Sequence, residues 1–400
     1  MKCMKRSFSK RFLGRGAVFT MALLFSIARP STGAAQEAKA PVGPGKILVH
    51  SKFGGQIFGF DIDQNGSEGV LSEAQDISGG KVLAAVETFD QKTGKILKVV
   101  SEIQSKDDYL TLGIVGTSVG LVEREHVTGI YVTKRIYDEL NPLSGNKFTG
   151  MWTPPLSAED IILGVSRDQG VPTTAVLYFE NSGNNFDTFV FGTNVAENTF
   201  QPTVDLTDQT FMESNAPQVA YDSATNEAVI ASSDGAVGGP PPKFALVDLT
   251  TGAVNEFTGI PGPPPFRQGS INGLAVDSED GIACTTTEVD FRVEFYDLKA
   301  QTGFAEVLPG ATGQIQSGSD VEYDPIHKLF FVAQSVSSTG AGSSIQVYDI
   351  NGNLVESLNG FNFSNAFNVI GTHIALNPSA RSGYVDGPSS GVTDIQSFTY

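Results

Sequence analysis

Short apolar runs alternate with clusters of Gly, Asn, Asp and Ser along most of the chain. A helix needs apolar residues at i, i+3 and i+4 over ten or more positions, and no long stretch offers that spacing. The longest helix-like segment, VTKRIYDEL (Val132 to Leu140), is short and carries β-branched residues. Period-two alternation between turn signals predicts an all-β chain.

Two patterns recur along these strands. One ends a strand with an aromatic or Val, then Asp, then an aliphatic: FGFDIDQNG, FALVDLTTG, VEFYDLKAQTG and IQVYDINGN, with Asp61, Asp248, Asp297 and Asp349. The other precedes it: QVAYDSATNEAVIASS, GLAVDSEDGIACTTT and VEYDPIHKLFFVAQS, with Asp222, Asp277 and Asp324. VETFDQKTGKILKVVSE (Asp90) and HIALNPSARSGYVDG (Asn377) read as further copies of the second pattern. Each copy is strand, Asp-led turn, strand. The unit is therefore two hairpins, four strands, repeating about every 50 residues, which predicts a β-propeller. The step from Asp61 to Asp248 equals about four units of about 47 residues, so the four aspartates of the first pattern mark units one, five, six and seven. Seven blades fit this spacing best, with six or eight left open. Three degenerate units fill Lys81 to Asn215. The C-terminal tail is expected to close the ring by completing the sheet begun by KILVHSKFGGQIFGF, which removes free strand edges.

FDIDQNGSEG (Phe60 to Gly69) has the opening of an EF-hand calcium loop, but position twelve is Ser72 and both flanks are strand-like. A hairpin turn, with Asp and Asn bonding nearby amides, accounts for it better.

Charge and the amino end change the picture. Six Lys/Arg and no acid precede an apolar run from Ala17 to Ala28, followed by STGAAQEAKA. This is the layout of a secretory signal, and KRSFSK has the shape of a twin-arginine signal with Lys for the first Arg. Residues 1–36 are expected to be a cleaved signal peptide, 37–45 a linker, and 46–400 one propeller domain, secreted or periplasmic. The first 35 residues carry seven Lys/Arg and no acid, so their loss takes the net charge from −18 to −25. So acidic a surface repels phosphate backbones and anionic lipid, which excludes nucleic acid and, after cleavage, membrane as partners. Cys3 leaves with the signal, and Cys284 in GIACTTTE reads as a small buried hydrophobe.

Catalytic signatures are weak. GTSVG (Gly116 to Gly120) matches G-x-S-x-G, but strand-like segments flank it and no helix follows. His50, His126, His327 and His373 show no zinc-type spacing. The proline-rich stretches WTPPL, GGPPPK and GIPGPPPFRQGS are loops, and would present Trp152, Phe266 and Arg267 if they formed a gripping rim. The residues that lead into the innermost strands carry more information, because all blades converge there. They are Asn215, Ser270, Asn272, Asp320 and His373; Asp234, Glu288 and Glu102 end the next strands out. Their oxygens at one channel mouth suit a polar ligand or calcium, with Asn272, Asp320 and Glu288 the expected metal set.

SINGLAVDSEDGIACTTTE resembles the N-G-L-A-x-D-x-x-G segment of gluconolactonase-like and NHL-like propellers, and IQVYDINGNLVESL is similar to the blade ends of NHL and YVTN-type repeats. The resemblance covers Asn215 to Ser357. It implies a propeller, and for the lactonase-like enzymes a metal-binding Asn at the position of Asn272, the metal usually being calcium. The family's E-G-P near the amino end has no counterpart beyond SEGV at Ser67 to Val70. The sequence therefore predicts an exported, soluble propeller that binds a small molecule or protein at its channel funnel. The alternative is a calcium-assisted hydrolase or isomerase of lactonase-like type, with Asn215, Asn272, Glu288, Asp320 and His373 as ligands and base.

Overall fold

A computed structural model of the chain describes residues 42–62, 67–79, 81–105, 108–114, 120–128, 131–141, 147–150, 161–166, 168, 171, 173–181, 186–194, 197, 199–206, 217–232, 241–260, 271–287, 292–307, 316–336, 343–361, 373–389 and 392–400. Residues from Ala40 to Tyr400 form one compact unit. It is an all-β propeller, and its blades follow one another along the chain. Blade one is Gln56–Ile62, Glu68–Ile77, Lys81–Asp90 and Ile96–Ser105. Blade two is Asp108–Ile114, Gly120–Thr128, Tyr131–Asn141 and Lys147–Gly150. Blade three is Ile161–Ser166, Thr173–Asn181 and Phe186–Asn194, with Thr199–Phe200 and Val204–Asp205 both paired to its third strand.

Blade four is Gln218–Asp222, Glu227–Ser232, Lys243–Asp248 and Val254–Thr258. Blade five is Ile271–Asp277, Ile282–Thr287, Val293–Asp297 and Thr302–Val307. Blade six is Gln316–Asp324, Leu329–Val336, Ser343–Asp349 and Leu354–Phe361. A composite closing sheet joins Ile374–Asn377, Ser382–Ser389 and Val392–Thr399 to the N-terminal strand Gly43–His50, which pairs antiparallel with Val392–Thr399. First strands of successive sheets touch one another and form the inner ring.

This corrects the count made from spacing. The chain builds six contiguous blades, and Asp248 ends the third strand of the fourth, not of a fifth unit. The cause is a slip of one hairpin in blade one. Asp61 lies on that blade's innermost strand, whereas Asp90 ends its third strand, as Asp248, Asp297 and Asp349 do in theirs. Both hairpins offer an Asp-led turn, so the residue type alone does not give the phase. Glu102 consequently falls on an outer strand and is exposed. VTKRIYDEL lies within the strand Tyr131–Asn141.

Turn aspartates do the same work throughout. At inner-strand ends, Asp222 accepts from Ala224 N at 3.0 Å, Asp277 from Glu279 N at 3.1 Å, and Asp324 from Ile326 N and His327 N at 2.8 and 3.0 Å. Asn377 substitutes in the closing sheet, accepting from Ala380 N at 3.1 Å. At third-strand ends, Asp90, Asp248, Asp297 and Asp349 each take an amide two to three residues on. Each carboxylate satisfies donors that the turn takes out of the ladder.

The core lies between sheets. In blade four Ala228, Ile230, Ala245 and Val247 pack towards blade three, and Val229, Ala231, Phe244 and Leu246 towards blade five. Alternation thus divides side chains between two cores, and EAVIAS and KFALVD read as nearly continuous apolar runs. Cys284 is fully buried with Phe295, Phe330 and Tyr348 between blades five and six, and burial pushes its thiol well up.

In blade one, two carboxylates interrupt this pattern. Glu73 and Glu87, both fully buried, reach across blade one to backbone amides before its first strand. Glu73 accepts from Phe53 N at 3.0 Å and Gly55 N at 2.7 Å, and Glu87 from Lys52 N at 2.8 Å. Burial, only partly offset by the Lys52 amide and reinforced by the charge of Glu73, raises Glu87 from 4.5 to about 7. A carboxyl raised by folding stabilises fully below its unfolded pKa and loses that contribution as pH rises to its folded value. Glu87→Gln keeps the acceptor for Lys52 without the charge. It is expected to flatten the stability decline of the wild type between pH 4.5 and 7 and to gain on the order of 3 kcal/mol at most at pH 8. Urea melts across this range check it, and identical pH profiles for both proteins would refute it.

Candidate functional site

Of the expected mouth residues, Asn215, Asp234, Ser270 and Glu288 lie outside the described residues, as do Trp152, Phe266, Arg267 and the serine of GTSVG. Asn272, Asp320 and His373 are described. Pairing of the first two strands slips by one residue in four blades, at Ile57/Gly59, Ile162/Gly164, Ile271/Gly273 and Gly318/Asp320. Asn272 is the extra residue in blade five. The next residue is glycine in blades one, three and five, and Asp320 in blade six.

Glycine is needed in blade five because a Cβ on Gly273 would stand 2.7 Å from Val321 N and 2.9 Å from Asp320 Cα. Neighbouring inner strands approach this closely only without a side chain. Asn272 and Asp320 therefore occupy neighbouring positions on adjacent strands. Asp320 uses the space differently. Its Oδ1 accepts from Val321 N at 2.8 Å and its Oδ2 from Ile374 N at 2.9 Å, which ties blade six to the closing sheet.

His373 continues this network. Its amide donates to Asp386 Oδ1 at 2.6 Å, and its Nδ1 lies 3.0 Å from Asp386 Oδ2. Asp386 is buried. Burial alone would lower the His373 pKa, but the charge and hydrogen bond of Asp386, with the charge of Asp320, carry it from 6.5 up to about 9. Burial raises Asp320 to about 6 against the opposing charge of His373 and the two amides. A histidine held as imidazolium at neutral pH is a poor general base. Among the described residues, no three His, Cys, Asp or Glu side chains gather into a metal cage.

The opposite end of the channel, where inner strands run into their turns, holds a cavity of about 320 Å3. Four consecutive blades line it: Ser166 and Asp168 from blade three, Tyr221 and Ser223 from four, the segment 274–279 from five, and Glu322, Tyr323 and Pro325 from six. Asp168 stitches three of these together, accepting from Ser278 Oγ at 2.7 Å and Ser223 N at 3.2 Å, while Ser166 Oγ accepts from Tyr221 N at 2.9 Å.

Glu322 is the residue that sequence reading passed over. Burial first, then the charges of Asp320, Asp61 and Asp168, push its carboxyl well above the carboxylate range. Those partners sit in blades six, one and three, so Glu322 faces the axis. A signal was present in the repeats. Glu322 stands two residues before the turn Asp, where sister strands have Ala220, Ala275 and Ala375.

No protein-family model matches the sequence, and neither does any curated protein. Among solved structures, the chain is similar to the β-propeller domain of Cps50 (Swd1) from Myceliophteria thermophila, with a TM-score of 0.53 and 13% identity over 90% of this chain and all of that one. It is likewise similar to U3-55K, with a TM-score of 0.53 and 12% identity over 90% of this chain and all of that one. At such identity the likeness establishes the propeller fold.

A raised histidine stabilises fully below its unfolded pKa, and that stability is lost as pH climbs through the folded value. Wild-type stability is expected to fall from pH 6.5 through 9 by the contribution of His373. Asp386→Asn should return the imidazole towards 6.5 and remove this slope. NMR titration of the ring, run beside thermal melts, measures both; a wild-type value below about 7 sinks the assignment.

Proposed function

We propose that this chain is an exported, soluble propeller that binds a ligand in its central channel and carries out no reaction of its own. One observation carries the reading: acids from three blades, Asp168, Asp277, Glu279 and Glu322, line one cavity in the channel, and the charges of Asp61, Asp168 and Asp320 all act on Glu322. Such convergence costs stability, because like charges facing one another raise one another's pKa. A costly cluster in a channel is a reason to look for a ligand there. The mouth supports binding over catalysis, since the oxygens of Asp320 are engaged by backbone amides and His373 is held protonated near neutrality.

Export rests on the amino-terminal charge, apolar run and small residues, and acidity argues against nucleic acid or anionic membrane as the partner. If residues 1–36 are a signal, protein secreted by its host will start within about ten residues of Ala35 by intact mass. A product that keeps residues 1–36 would remove export from the reading.

The placement of Asn272 beside Asp320 on adjacent inner strands favours a second reading, the lactonase-like, calcium-assisted hydrolase that the blade-five segment resembles. Among the described residues the donors do not complete a calcium cage, so this reading depends on Glu288 and its neighbours. It expects calcium in the purified protein and a calcium-dependent rise in melting temperature that Asn272→Ala and Asp320→Asn both abolish. Metal-free protein whose melting is indifferent to calcium leaves binding alone.

A further inference from the structure

We infer that the cavity at the turn end of the channel takes a small organic cation, a protonated or quaternary amine on a short apolar body, with its charge against Asp277 and Glu322. This rests on the channel being a ligand site and names the chemistry of its occupant.

Among the described residues, the charges lining the cavity are of one sign: Asp168, Asp277, Glu279 and Glu322 face it, with no described Lys, Arg or His beside them. Two of the four are already answered. Asp168 is held by Ser278 and Ser223, and Glu279 pairs with Lys328 at 3.1 Å, which also meets Asp280 at 2.8 Å. The other two are answered only in part. Asp277 is 1% exposed, its Oδ1 takes the amides of Glu279 and Asp280, and its Oδ2 is a buried oxygen without a well-formed hydrogen bond, with the Tyr323 hydroxyl beside it. Glu322 is partly buried, its carboxyl takes no hydrogen bond from a described residue, and it faces the like charges of Asp320, Asp61 and Asp168. A buried acceptor without a donor is costly, and a cationic donor is the partner that offsets both the missing bond and the like-charge repulsion.

The remaining walls select an organic cation over a metal ion. Ala220, Leu274, Ala275 and Val276 make an apolar side, and Tyr221 and Tyr323 add aromatic rings. Aromatic faces attract ammonium groups, whereas calcium requires six to eight oxygens around one point. A volume of about 320 Å3 sits at the small end of ligand pockets. Burial and the neighbouring carboxylates raise the Glu322 carboxyl well above the usual range. A cation beside it opposes that shift, so the carboxyl releases protons to solvent as the ammonium enters.

Calorimetry on the full chain tests this with four- to six-carbon primary amines and choline, set against the matching alcohols and carboxylic acids and against calcium chloride. Amines are expected to bind, with heats that vary with the ionisation enthalpy of the buffer because a proton is released. Glu322→Gln, verified as folded by circular dichroism, should weaken amine binding by about tenfold or more and abolish the buffer dependence. Asp277→Asn provides a second variant with the same expected direction. Alcohols or acids binding as well as amines would overturn the cation assignment while leaving the channel as a ligand site. Calcium binding alone would overturn it in favour of a metal. Silence across the whole panel would remove the inference and the channel reading together.

Discussion

Everything in this molecule depends on sheets that bury both faces against their neighbours. A single blade of four short strands has two apolar faces and no core of its own. Phe331, Ile345 and Leu358 of blade six acquire a core only when Ile374, Val385 and Phe398 of the closing sheet pack on them. The same relation repeats between blades three and four, four and five, and five and six. Polar chemistry is thereby displaced to the two places the packing leaves free, the turns and the axis.

At the turns, carboxylates are consumed in holding local backbone, which is why so acidic a chain does not need a metal to explain its aspartates. At the axis the accounting differs. Asp320 takes a position that is glycine in blades one, three and five, and converts close strand approach into a tie to the next sheet. Glu322, two residues further along, makes no such tie to a described residue. The contrast between these two acids on one strand separates a carboxylate built into the scaffold from one that is not.

Much of the fold was legible in the sequence. Blades four to six announce themselves because each carries both Asp-led turns with apolar runs between them. Blade one was misphased because Asp61 and Asp90 are chemically alike and stand in different hairpins, and only strand pairing distinguishes them. Blades two and three carry no such markers, so their existence followed from length alone. Of the residues expected at the mouth, the structure places Asn272 and Asp320 on inner strands and His373 just before one, and the charges of Asp320 and His373 act on each other. The opposite cavity was not legible, because it is assembled from serines, tyrosines and turn residues of four blades, each unremarkable in its own segment. Only an acid in a column of alanines hinted at it.

The seam that completes the ring has a kinetic side. Ile47 N donates to Ser397 Oγ at 3.2 Å across 350 positions of sequence, and Tyr400 Oη bonds Asp324 Oδ2 at 2.8 Å. The Ile47–Ser397 contact must overcome the loop-closure entropy of nearly the whole domain before it contributes anything. Until it forms, the outer edge of the strand Val392–Thr399 is an unpaired template, open to a stray strand from another chain. Clipping away the strand Gly43–His50 would recreate that open edge in an otherwise finished ring, making the few residues before blade one the guard against self-association.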